Sequence, residues 1–184
     1  SFLIVTVSCT NNCRHKILMK RVFLVRHAKS SWKDPALPDL ERPLNKRGER
    51  DAPIVANWLA AIIRYPAFYV SSPALRARAT AIQFCLAAGL TPESLNIHQS
   101  MYFQGEDAII RLIHTLPEMY DTAVLFSHNP ELTWLANRFS EEVIENVPTC
   151  GVFELVNPAD SWALFGDSKT SFGRFMTPKK LRHS

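Results

Sequence analysis

The chain has 184 residues, 47% of them hydrophobic and 21% charged, with a formal net charge of +4. That length buries one sizeable core but not two, and the basic residues are scattered rather than gathered into a block, which suits an anionic substrate without calling for nucleic acid. No apolar run reaches the roughly 18 residues of a membrane span, and Ser1 to Val7 lacks the basic flank of a signal peptide, so a cytoplasmic chain without membrane contact is expected.

Met19-Lys20-Arg21 resembles a natural start directly before the first strand, which makes 1–18 an upstream extension and 19–184 a single domain. Val22 to Val25 is a short β-rich run that ends in the polar cluster Arg26-His27-Ala28-Lys29-Ser30. Trp32 to Pro43, with three prolines and many charges, reads as a loop. Asn45 caps a helix expected to run to about Arg64, with Ile54, Val55, Trp58, Leu59 and Ile62 on one face. Phe68 to Ser71 is a second buried strand. Ser72 and Pro73 then read as the cap and first position of a helix that carries Arg76 in its first turn and ends near Gly89.

Further along, Leu95 to Tyr102 reads as a strand, Asp107 to Leu116 as a helix and Thr122 to Phe126 as a strand that again ends in polar residues, Ser127-His128-Asn129-Pro130. A helix is expected from Glu131, and Val152 to Val156, Ala163 to Phe165 and Phe172 to Met176 as late strands. Strands alternating with helices imply an α/β fold, a three-layer α/β/α sandwich on a largely parallel, mixed sheet, with the ligand site beyond the carboxyl ends of the strands. Three of those ends carry Arg26-His27, Ser71-Ser72-Pro73 with Arg76, and Ser127-His128.

Two arginines and two histidines at one edge suit a phosphoryl dianion, because the guanidinium fork matches phosphate oxygens. A neutral His27 attacks phosphorus if its other ring nitrogen is held by a carbonyl. Arg26, Arg76 and a protonated His128 would then stabilise the transferring group, leaving little for a metal to do. Cys9, Cys13, Cys85 and Cys150 show no disulfide or zinc spacing, and Cys9, Cys13 and His15 offer only three ligands where a closed zinc site takes four. No metal and no cofactor are expected.

Val25-Arg26-His27-Ala28 resembles the Arg-His-Gly signature of the histidine phosphatase superfamily, the phosphoglycerate-mutase-like proteins. Arg42-Pro43-Leu44-Asn45-Lys46-Arg47-Gly48 is similar to its Arg-Pro-Leu-Thr-x-x-Gly segment. Ser71-Ser72-Pro73 with Arg76-Ala77 and Thr80 is similar to Ser-Pro-x-x-Arg-Ala-x-x-Thr, and Ser127-His128-Asn129-Pro130 to the second histidine motif. The resemblance runs from about Val22 to Gly151, and the short chain is similar to the SixA-type phosphohistidine phosphatases within that superfamily. It implies that His27 is the nucleophile, that Arg26 and Arg76 bind phosphate, and that His128 supports the transferring group.

Two departures stand out: Ala28 replaces the signature glycine, and Lys33 stands where many relatives place an asparagine that touches substrate. Glu106 is the candidate proton donor for the leaving group, with Asp107 beside it; both also read as first-turn helix acids favoured by the helix dipole. Lys29, Ser30, Lys33, Arg42 and Thr149 are candidate substrate contacts. Arg42 also reads as a solvated loop charge, and Thr149-Cys150-Gly151 as a turn entering a strand. The partner would be a phosphorylated protein or a small phosphorylated metabolite, and the chain a monomer or weak homodimer. The competing readings are a small-molecule phosphomonoesterase of the same superfamily and a catalytically silent phosphate-binding module.

Overall fold

The computed structural model describes residues 19–63 and 66–183; the expectations for 1–18, with Cys9, Cys13 and His15, lie outside it. Six strands form one sheet in the order β3-β2-β4-β1-β5-β6. They are β1 (Lys20–Arg26), β2 (Ala67–Ser71), β3 (Leu95–Ile97), β4 (Thr122–Ser127), β5 (Val152–Asn157) and β6 (Ser171–Met176). The pairings β1 with β4, β4 with β2 and β2 with β3 are parallel, and β5 and β6 join antiparallel. The sheet is therefore mixed, as expected.

Strand β1 explains the layering. Its alternate side chains go to opposite faces, and both faces are covered, so the run reads as continuously apolar. Val22 and Leu24 enter one core with Leu125, Ile109, Ile113, Leu132 and Leu135. Phe23 and Val25 enter the other with Val124, Phe126, Val55, Leu59 and Phe84. Helices α1 (Lys46–Ile62) and α2 (Leu75–Ala87) line one side of the sheet and α3 (Glu106–Ile113) and α4 (Glu131–Phe139) the other, giving three layers; α5 (Pro178–Leu181) packs on α1.

Asn45 caps α1 as expected, its side-chain oxygen accepting from the Gly48 N–H at 3.0 Å. Gly48 brings α1 against the turn that follows β1 and His27. A Cβ there would meet the Lys29 carbonyl oxygen at 2.3 Å, so glycine is what allows the helix to approach this closely.

Three expected elements differ. The helix placed at Ser72-Pro73 begins at Leu75, because the Ser72 hydroxyl is engaged elsewhere and Ala74 holds the cap position without a side-chain bond. The strand expected over Leu95 to Tyr102 stops at Ile97. From Gln99 to Met101 the chain turns as a 3-10 helix, with the His98 ring accepting from the Ser100 N–H. Ala163 to Phe165 is not a strand either: Trp162–Leu164 is a 3-10 turn capped by the Ser161 hydroxyl, which buries Trp162.

Candidate functional site

The parallel trio β2, β4 and β1 ends level, with Ser71 opposite Phe126 and Ser127 opposite Arg26. The backbone continues the register one step further, the His27 N–H donating to the Ser127 carbonyl at 3.1 Å and the Ser72 N–H to the Phe126 carbonyl at 3.0 Å. His27, Ser72 and His128 thus leave the sheet side by side at its carboxyl edge, where open α/β sheets place their ligands. The His27 and His128 ring centroids are 5.1 Å apart.

Arg76, on the first turn of α2 and 1% exposed, ties these groups together. Its Nε donates to His27 Nε2 and its Nη2 to His128 Nδ1, each at 3.3 Å. These two bonds fix both tautomers. His27 carries its proton on Nδ1, held by the Ala28 carbonyl at 2.7 Å, and presents a lone pair at Nε2. His128 carries its proton on Nε2 and donates it to the Ser72 hydroxyl at 2.7 Å. The turn after His27 is pinned in turn by Thr80, whose hydroxyl accepts from the Ala28 N–H at 3.0 Å and donates to the Arg76 carbonyl at 2.7 Å. Ala28 has no positive φ, which explains how alanine stands in for glycine there.

Arg26 donates from Nη1 to the Val147 carbonyl at 2.7 Å and to the Asn146 side chain at 3.2 Å, leaving its Nε buried without a hydrogen-bond partner. Arg42 is 7% exposed and lies flat on the Trp32 ring, its guanidinium carbon 3.4 Å from the ring centroid. Its Nη1 is also buried without a hydrogen bond, and its Nε is ion-paired with Asp39 at 3.2 Å without hydrogen-bond geometry. Unsatisfied buried donors are costly. Arg26 Nε and Arg42 Nη1 are two such donors on two arginines beside two histidines, and their chemistry suits an anion with several oxygens.

The sequence did not single out Asp39, Tyr102 or Phe103. Asp39 opens a single 3-10 turn, Asp39–Glu41, in the proline-rich loop. It accepts from Arg76 Nη2 at 2.7 Å and from the Tyr102 hydroxyl at 2.8 Å, pairs with Arg42 Nε at 3.2 Å, and receives Arg76 Nη1 on its backbone carbonyl. Phe103, with φ of +50°, holds its ring centroid 4.8 Å from that of His128, and Tyr102 meets the same ring edge-on at 5.3 Å. The spacing of Asp39 three residues before Arg42 was the available signal.

Residues 22–99 match the model of the histidine phosphatase superfamily (branch 1). A crystal structure of a candidate SixA phosphohistidine phosphatase from Agrobacterium tumefaciens superposes with a TM-score of 0.70 at 26% identity, over 86% of this chain and 98% of that one. The chain belongs to the histidine phosphatase superfamily. A protein histidine phosphatase SixA complexed with tungstate shares the fold, with a TM-score of 0.71 at 22% identity over 88% of this chain and 99% of that one. So does phosphoglycerate mutase from Bacillus anthracis, at 0.66 and 12% identity over 89% and 96%. An uncharacterised chloroplastic protein of Arabidopsis thaliana is 30% identical over 135 residues, 73% of this chain and 54% of that protein, so the chain spans about half of that relative's length. An uncharacterised protein of Mycobacterium tuberculosis is 28% identical over 149 residues, 76% of this chain and 90% of that one.

Within this superfamily fold the expected site residues divide. His27, Arg26, Arg76 and His128 converge, and Arg42 joins them, buried rather than solvated. Ser30 is buried beneath the loop, bridging to Leu44 through its backbone, and its carbonyl accepts from the Asn45 side chain at 3.3 Å. Lys29 and Lys33 are exposed beside that loop, and Thr149 directly precedes Cys150, whose N–H bonds to the Arg26 and His27 carbonyls. Glu106 heads α3 without a hydrogen bond to the four converging residues, and Asp107 pairs with Arg138 at 2.7 Å. A separate cleft of about 680 Å³ beside Phe68 and Tyr120 contains none of the arginines or histidines of the site. Among the described residues no helix is long and apolar enough to cross a membrane.

The expectation of a protonated His128 needs correction for the free protein. Burial, then the neighbouring His27 and Arg76, push its pKa down to about 2, and burial with the surrounding arginines pushes His27 down to about 3. Both rings are neutral when the pocket is unliganded, as their hydrogen bonds to Arg76 require. In the unfolded chain they titrate near 6.5, so below that pH unfolding takes up protons the folded state refuses, and stability falls as pH falls. Each histidine contributes a slope of up to about 1.4 kcal/mol per pH unit. Thermal melts between pH 8 and 5 are expected to show this loss above the carboxylate range, with a shallower slope in His128→Gln. A melting temperature that stays flat from pH 7 to 5 would sink this reading.

Proposed function

We propose that the chain is a metal-independent phosphatase that removes phosphate from phosphohistidine, or from related substrates with good leaving groups, through a covalent intermediate on His27. The observation that carries this reading is the lone pair on His27 Nε2, held toward the Arg76 fork by the bond from Nδ1–H to Ala28. A neutral imidazole presented in this way is a nucleophile at physiological pH.

In the first step Nε2 attacks phosphorus and the substrate's P–N bond breaks, its electron pair passing to the departing imidazole, which takes a proton from water. Arg26, Arg42 and Arg76 face the equatorial oxygens and supply the positive charge that a metal supplies elsewhere. The arriving dianion reverses the field around His128, which takes a proton from water at Nδ1, giving up its bond from Arg76 Nη2, and hydrogen-bonds through it to a phosphoryl oxygen. In the second step water attacks phosphorus, the bond to His27 breaks and phosphate leaves. Among the described residues Asp39 is the only carboxylate hydrogen-bonded to any of the four converging residues, and its arginine partners hold it ionised. No proton donor stands ready for a poor leaving group, which favours phosphohistidine over sugar phosphates.

The test is phosphate release in the presence of EDTA from a phosphohistidine protein, p-nitrophenyl phosphate and sugar phosphates. The phosphohistidine protein is expected to exceed the sugar phosphates in kcat/KM by about ten-fold or more. Sugar phosphates turning over faster would make this a small-molecule phosphomonoesterase. Binding of phosphate without turnover of any substrate would make it a binding module.

A further inference from the structure

Arg42 and Arg76 carry two positive charges into a small buried volume, where they repel each other. What holds them there is Asp39. One carboxylate oxygen accepts from Arg76 Nη2 and from the Tyr102 hydroxyl, and the other pairs with Arg42 Nε. The Asp39 backbone carbonyl takes Arg76 Nη1 as well. Arg76 therefore has two faces. Its Nε and one Nη2 hydrogen point at His27 and His128, where a phosphoryl group enters, while Nη1 and the other Nη2 hydrogen are committed to Asp39.

Asp39 is not a proton donor. Burial pushes its carboxyl up, but hydrogen bonds from Arg76 and Tyr102 and the charges of both arginines outweigh that and hold it below the usual carboxylate range. It is a fixed negative charge on the far side of the guanidinium that must receive the phosphate. Two anions then share one Nη2 nitrogen, and each weakens the other's hold on it.

We infer that Asp39 is the built-in counter-ion of the pocket, a positioning residue that keeps Arg42 and Arg76 assembled and, by competing with phosphate for them, sets how readily phosphate is released. This rests on the phosphatase reading above. It predicts an effect opposite to that of ordinary structural damage. In Asp39→Asn the amide oxygen still accepts from Arg76, so the fork stays in place, but the competing charge is gone. Product should bind more tightly and leave more slowly.

The experiment measures inorganic phosphate binding by calorimetry, together with kcat and KM, for wild type, Asp39→Asn, Asp39→Ala and Asp39→Glu, each checked for folding by thermal melt. Asp39→Asn is expected to bind phosphate about ten-fold or more tightly than wild type, with KM and kcat falling together. Asp39→Glu keeps the charge and is expected to bind phosphate within a few-fold of wild type. If Asp39→Asn fails to fold, Asp39→Ala reads the loss of the charge, its gain in phosphate affinity smaller because the side-chain anchor of Arg42 and Arg76 is lost as well. Wild type that turns over and binds phosphate, with both neutral variants binding it no better, overturns the counter-ion role while leaving the phosphatase intact. Wild type that neither binds phosphate nor turns over removes the phosphatase reading and the counter-ion with it.

Discussion

Replacing His27 with alanine is expected to lower phosphate release by about a thousand-fold or more, with EDTA making no difference to either protein. The reason is that no second nucleophile stands in the same place. His128 is 5.1 Å away between ring centroids and has its Nε2 proton committed to Ser72. Ser72 is 0% exposed and holds that proton. A rapid quench of wild type with substrate should trap a phosphate adduct that is stable to base and labile to acid, as a phosphoramidate is, and His27→Ala should trap none. Residual turnover within ten-fold of wild type in His27→Ala would remove the covalent mechanism, whatever the substrate.

Arg76→Lys should be nearly as damaging, at about a hundred- to ten-thousand-fold in kcat/KM. One ammonium cannot reach His27, His128 and both acceptors of Asp39 at once, so the tautomers of both rings and the position of the loop lose their common anchor. The side chain is almost fully buried, and removing its fork leaves Asp39 with one strong partner fewer. A lower melting temperature should accompany the kinetic loss. Retention of a third or more of wild-type kcat/KM would show that charge alone suffices and that the fork geometry is dispensable.

The pocket was legible in the sequence because it was built at strand ends. A buried parallel strand reads as an unbroken β-branched or aromatic run, and polar residues directly after it must lie at the sheet edge. By that rule His27, Arg76 and His128 were expected at one edge of the sheet, and the structure brings the three side chains into hydrogen-bond contact there. Ser72 was read as a helix cap, a role its residue type often fills, but its hydroxyl is bonded to His128 across 56 positions, and no local pattern encodes that. Asp39 was hidden for a similar reason: in a loop rich in prolines and charges it looks solvated, and its bond to Arg76 comes only with the approach of α2. The third strand was overextended because Leu95 to Tyr102 lies at the sheet edge, where one neighbour is missing and apolar periodicity fades. The His98 ring ends the pairing by capping the next turn.

Strand β1 has neighbours that arrive late in the chain. It is flanked by β4, where Arg21 lies opposite Thr122, and by β5, where Val25 lies opposite Val152, separations of 101 and 127 residues. Nothing adjacent in sequence pairs with it, so the strand that leads into His27 gains its second neighbour only when β5 is in place. Such non-local closure pays its loop entropy before any contact repays it, which slows folding. A chain ending before β5 would carry His27, Arg26, Arg42, Arg76 and Thr80 and still lack the strand that pairs with β1 on its second side.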